Sequence, residues 1–188
     1  PGADIAIVEM AGIPPTELQL QTYYQNADYV LNYSEDQNVQ DIYHSTENWD
    51  IVKNCTEVLM FAHALTALTE QGVIGKYDRI FKMTARYYLT DAFDPAYYDT
   101  VPDQTVILER KASQFPASVT GGRTQQYMSR LFSWPADQTD IMIETYNTGF
   151  IEMAQHLYNG GYFDLEHMLF HYLPKDRKST RLNSSHGY

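Results

Sequence analysis

The stretch DIVKNCTEVLMFAHALTALTE, Asp50 to Glu70, decides how this chain is read. Val52, Leu59, Ala62 and the run Leu65 to Ala67 recur at the spacing that places side chains on one face of an α-helix. Gly72 follows as a C-terminal stop, because glycine adopts the left-handed turn that closes a helix. Working outward, Lys76 to Thr90 repeats the helical spacing through Ile80, Met83, Thr84 and Tyr87, and Asp94-Pro95 breaks it, since proline disfavours helix at the residue before it. On the other side, Thr16 caps a helix that carries Leu18, Tyr23, Ala27, Val30 and Leu31, with Glu17 in its first turn to favour the dipole. Between them, Ser34 to Ser45 is polar and turn-like.

Residues 94–122 are the least regular part. They hold Pro95, Pro102, Pro116 and the pair Gly121-Gly122, with one short extended run predicted at Thr105 to Leu108. Helix is predicted again over Thr124 to Phe132 and Thr139 to Tyr158, split by Trp134-Pro135-Ala136-Asp137, where Asp137 would cap the second. Long alternating runs and internal repeats are absent. The pattern therefore predicts an all-α protein of helical hairpins and long loops, either an incomplete α/α toroid or a helical solenoid.

Composition narrows the class. Forty-four per cent of the 188 residues are hydrophobic and 20% are charged, as in a globular chain with a core. No apolar run approaches the ~20 residues that span a bilayer, so no membrane partner is expected. The formal charge is −11, which argues against nucleic acid, whose binding rests on Lys and Arg at phosphates. Cys55 is the single cysteine; it excludes a disulfide framework and reads as a buried thiol. The chain opens on Pro1, which suggests an internal fragment of a longer protein. Arg177 to Tyr188 is polar and aperiodic and looks like translated adapter sequence, so residues 1–176 are taken as the helical domain and 177–188 as a non-native tail.

Sixteen tyrosines are unusual for this length. Several fall in pairs, Tyr23-Tyr24, Tyr87-Tyr88 and Tyr97-Tyr98, and suit a core rim or, by stacking, a sugar. His63 and His156 lie in apolar helical stripes as core or rim residues. His167 and His171 stand at i and i+4, as a zinc pair would, but the His-Glu-x-x-His arrangement is absent and no third ligand is apparent; no metal or other cofactor is predicted. Phosphate loops, nucleophile elbows and dinucleotide fingerprints are also absent.

Three short segments share one order and spacing: Asn48-Trp49, Thr120-Gly121-Gly122-Arg123, and Gly161-Tyr162-Phe163 with His171 ten residues after Gly161. Together they resemble the helical catalytic domain of the polysaccharide lyases that cleave hyaluronate, chondroitin or xanthan. The resemblance implies an α/α toroid and cleavage of a uronic-acid polysaccharide by β-elimination, in which a uronate carboxylate is neutralised, a base removes the adjacent proton and an acid protonates the leaving oxygen. It implies His171 as the catalytic histidine, Asn48, Trp49 and Arg123 at the substrate, an acidic polysaccharide as partner, and a secreted or periplasmic location. Gly122 stands where that family carries an Asn, so Arg123, Gln125 or Gln126 would have to face the carboxylate. The alternative is a non-catalytic helical scaffold or binding domain of a larger protein, which has no reason to gather Trp49, Arg123 and His171 in one cleft.

Overall fold

The computed structural model describes residues 3–107 and 109–174, together with the backbone of 178–180. At its centre lies the helix read first, α3, running Trp49–Glu70. Asn48 caps it: the side-chain Oδ1 of Asn48 accepts the Asp50 amide at 3.0 Å, supplying a partner for one of the free N–H groups of the first turn. Ile51, Cys55, Val58, Phe61, Ala62 and Leu65 are all buried, and so are Val52, Met60, Ala64 and Leu68. Burial on nearly every side makes α3 a central helix rather than a surface helix with one apolar stripe. Cys55, 1% exposed, is part of this core, and burial pushes its thiol up to about 11.

The protein is mixed α/β, which corrects the predicted all-α fold and the α/α toroid with it. Three small sheets surround the helices. β1 (Ala6–Glu9) and β2 (Tyr29–Asn32) pair in parallel through α1 (Glu17–Asn26). The Thr16 hydroxyl caps α1 with Gln19 completing a capping box, as the sequence suggests, but the helix ends at Asn26 and Val30 and Leu31 are in strand. The polar segment after Ser34 contains a second helix, α2 (Gln37–Ser45), capped by Asp36.

The helix predicted over residues 76–90 is instead a short 3₁₀ turn followed by β3 (Arg79–Met83). The one predicted over 124–132 is β6 (Gln125–Tyr127) and the start of β7 (Leu131–Pro135). A run of five residues holds too few periods to separate strand from buried helix. The aromatic and β-branched content of Arg79-Ile80-Phe81 and Leu131-Phe132-Ser133-Trp134 is the signal that favours strand.

β7 is buried at all five positions and lies between β3 and β4 (Thr105–Ile107), antiparallel to both. The extended run predicted at 105–108 is therefore present, with Leu108 outside the described residues. Arg79 ties the irregular crossing to this sheet: its guanidinium donates to the carbonyls of Val101, Pro102 and Gln104 and to the Ser133 hydroxyl. The backbone of β8 (Lys178–Thr180) pairs in parallel with β4. β5 (Arg110–Ala112) pairs with β6 in the third sheet. The one-turn α4 (Ala96–Asp99) lies in the crossing.

α5 (Thr139–Tyr158) packs along α3, and α6 (Leu165–Tyr172) packs on α5 and β6. Asp137 does not cap α5; it sits in a 3₁₀ turn, and Gln138 takes the cap position without a side-chain bond. Tyr146, Met153, Phe163, Met168, Trp134 and Phe132 fill the space between helices and sheet. Each such side chain contributes about 1.5–3 kcal/mol through burial. Among the described residues no helix is long and apolar enough to cross a membrane.

Candidate functional site

The loop from Pro116 to Arg123 is pinned against the end of α5. The Val119 carbonyl accepts both the Tyr162 amide at 2.8 Å and a His156 ring nitrogen at 2.7 Å. Gly161 permits this, because a Cβ there would lie 2.3 Å from His156 Nε2. The next two residues diverge: Phe163 is fully buried, whereas the Tyr162 ring stacks on Phe115 with centroids 3.7 Å apart. Gly-Gly-Tyr-Phe is thus a closure between α5 and α6 that aims one aromatic inward and one at a groove.

That groove encloses about 320 Å³. Lys53, Asn54 and Glu57 of α3 form one side, Thr84, Arg86 and Tyr87 after β3 a second, and Lys111 and Gln126 of β5 and β6 with Arg130 before β7 a third. Phe115, Tyr162, Asp164 and Glu166 complete it. Its charges are unevenly compensated. Glu57 takes the Lys82 ammonium at 2.7 Å, and Lys53 pairs with Asp50 at 2.6 Å. Burial and the neighbouring Asp164 charge push the Glu166 carboxyl upward, and the Ser129 hydroxyl donates to it. Among the described residues Arg86, Lys111 and Arg130 have no carboxylate partner in an ion pair. Arg130 lies over the Tyr87 ring, 4.7 Å from its centroid, which orients the guanidinium without neutralising it.

Asp164 lies at the N-cap of α6 and holds His167 twice. Its Oδ1 accepts the His167 amide at 3.0 Å and faces the ring Nδ1 at 2.6 Å. Burial alone would raise this carboxyl, but the hydrogen bonds from the His167 ring and amide outweigh it and leave it below the ordinary value. The other ring nitrogen, Nε2, lies 2.8 Å from the Ser113 hydroxyl. The Tyr162 phenol is raised by burial and by the Asp164 carboxylate.

The five residues predicted from sequence lie elsewhere. Asn48 is the cap of α3, and Trp49, 57% exposed, meets Tyr43 edge-on. Arg123 forms an ion pair with Glu152, donates to the Thr120 carbonyl at 3.0 Å and covers the Phe163 ring at 4.1 Å. Its partner Glu152 also accepts the Tyr172 hydroxyl and feels the charge of His171. His171 is exposed at the end of α6. Arg123 and Tyr172 therefore meet around one carboxylate, while Asn48 and Trp49 stand at the head of α3 and Gln125 accepts the Arg110 Nε at 3.1 Å on the third sheet. None of the five lines the groove.

Sequence reasoning missed Ser113, Asp164, Glu166, Arg86, Lys111 and Arg130, and considered His167 only as half of a metal pair. The i, i+3 spacing of Asp164 and His167 was the legible signal; nothing local marked Ser113. Both nitrogens of His167 are engaged, and among the described residues no group of three or more His, Cys, Asp or Glu is placed to hold a metal. Comparison with known proteins adds no family: no family model, no curated protein and no solved structure matches the chain.

Proposed function

We propose that this protein is carbohydrate-active and takes an acidic saccharide in the groove between α3, α6 and the third sheet. The observation that carries this reading is the set Arg86, Lys111 and Arg130, three cations without carboxylate partners among the described residues, in a chain of formal charge −11. Cations gathered in a concave site act through their local field whatever the net charge. Phe115, Tyr162 and Tyr87 supply ring faces for a sugar, and Gln114, Gln126 and Asn54 supply amides for its hydroxyls. The reading carries an extracellular or periplasmic location, where such polymers occur.

The β-elimination implied by the sequence resemblance would be performed by groove residues and not by His171. Arg86 and Arg130 would neutralise the uronate carboxylate. Glu166, shifted toward its protonated form, would protonate the leaving oxygen, and Glu57, one-third exposed, would serve as the base.

Calorimetric titration of the full chain with uronate oligosaccharides tests binding. Arg86→Ala and Arg130→Ala are each expected to weaken it about 10- to 100-fold, since a charge-assisted hydrogen bond contributes about 1.5–3 kcal/mol. Absence of binding to any uronate oligomer would end the proposal. Ultraviolet absorbance of unsaturated uronate tests the reaction separately: binding without absorbance leaves a non-catalytic binding domain, and absorbance lost in Glu57→Gln with binding retained identifies the base.

A further inference from the structure

We infer that Ser113, His167 and Asp164 form a nucleophile, base and orienting carboxylate that hydrolyse a carboxylic ester. The inference concerns a different reaction from the anion binding proposed above and does not depend on it. The proton positions follow from the contacts. A carboxylate only accepts, so the 2.6 Å contact between Asp164 Oδ1 and His167 Nδ1 requires the proton on Nδ1. In the neutral ring Nε2 is then an acceptor, and the Ser113 hydroxyl at 2.8 Å is its donor. The Phe115 amide donates to Ser113 Oγ at 3.1 Å and fixes its rotamer; the Phe115 carbonyl, at 3.0 Å, is the more distant acceptor for the hydroxyl proton. Nucleophile, base and orienter thus stand in hydrogen-bond sequence.

The placement suits chemistry as well as packing. His167 is 0% exposed, which holds its imidazole in one orientation, while Ser113 is only half-buried. Phe115 and Gln114, next along the chain, line the groove. Lys111 lies directly opposite Gln126 in the β5–β6 register, so both point to one face of that sheet, and both line the groove. The Lys111 ammonium and the Gln126 amide would serve as donors to an oxyanion.

In the reaction Ser113 Oγ attacks the ester carbonyl carbon while its proton passes to His167 Nε2. The bond from carbonyl carbon to alkoxide oxygen breaks, and the Nε2 proton goes to that oxygen, releasing the alcohol. Water then attacks the Ser113 ester and gives a proton to Nε2. Ser113 Oγ leaves, takes that proton back and frees the carboxylic acid. Asp164 is a positioning residue throughout, holding the tautomer and stabilising the transient imidazolium.

The test uses two uncharged probes on the full chain: a fluorophosphonate read by intact and peptide mass spectrometry, and p-nitrophenyl acetate read by absorbance. One phosphonyl adduct on Ser113 is expected, with ester hydrolysis that falls about 10²–10⁴-fold in Ser113→Ala. Asp164→Asn is expected to reverse the tautomer and slow hydrolysis on the order of 10³-fold, with helix content by circular dichroism unchanged in both variants. No adduct, an adduct that Ser113→Ala retains, or hydrolysis equal in wild type and Ser113→Ala would overturn the inference. Because neither probe carries charge, failure here leaves saccharide binding untouched, and a failed saccharide titration leaves this result untouched.

Discussion

Tyr146 illustrates how a single side chain can work against the fold. It is fully buried among Phe61, Met142 and Met153, and among the described residues its hydroxyl has no hydrogen-bond partner. Burial and the nearby Glu57 and Glu166 charges hold the phenol well above its ordinary value, so it remains protonated and unsatisfied. A buried polar group without a partner costs about 1–3 kcal/mol. Tyr146→Phe keeps the ring and removes that cost, and urea unfolding is expected to show a gain of about 1 kcal/mol.

Glu166 sets a pH dependence at the same scale. Its folded pKa is raised above 4.5 by burial and by Asp164, so the native state binds that proton more tightly than the unfolded chain does. Stability is therefore greatest with the proton on, and declines as pH rises from the unfolded value toward the raised folded one. Glu166→Gln removes this decline. Unfolding midpoints from pH 4 to 7.5 are expected to show the variant gaining on the wild type as pH increases; a constant difference would mean that Glu166 ionises in the groove as it does in water. Asp164 acts with opposite sign, because its folded pKa is lowered: its contribution is present above 3.8 and is lost as pH falls through the depressed value.

At the scale of elements, the contact between α5 and α6 depends on a missing side chain. A Cβ on Gly149 would lie 2.3 Å from Met168 Cγ and 3.3 Å from the Tyr172 ring. Met168 is itself 0% exposed, in an interior that is close-packed. Alanine would gain up to about 1 kcal/mol in helix propensity, while overpacking costs about 1–3 kcal/mol. Gly149→Ala is expected to lower the thermal midpoint, and the loss should shrink when Met168 is shortened as well. Since α6 carries Asp164 and His167, the same variant is expected to slow ester hydrolysis by displacing the imidazole from Ser113.

For the whole molecule, the arrangement of charge matters more than its sum. Three cations without carboxylate partners among the described residues face one groove of an acidic protein, and screening shortens their reach to about 10 Å at 0.1 M salt. Saccharide affinity is expected to fall steadily between about 0.05 and 0.5 M sodium chloride, measured by calorimetry. Affinity insensitive to salt would assign binding to the aromatic walls instead.

What the sequence determined by itself is local. The apolar positions of Asp50 to Glu70, the cap Thr16, the burial of Cys55 and the short run at Thr105 all follow from spacing and capping within a few residues, and all are found. The strands at 79–83 and 131–135 were not legible in that way. Each is too short to show a period, and what makes it a strand is the partner across the sheet: Ile80 opposite Trp134, and Val106 opposite Ser133. The site is farther still from the sequence. Ser113 meets His167 only because β5 pairs with β6 and α6 packs on β6, and Arg86, Lys111 and Arg130 reach one groove from different segments. The tertiary structure alone decided this, because neither a lone serine nor a lone arginine carries any local mark of the side chains that packing will set beside it.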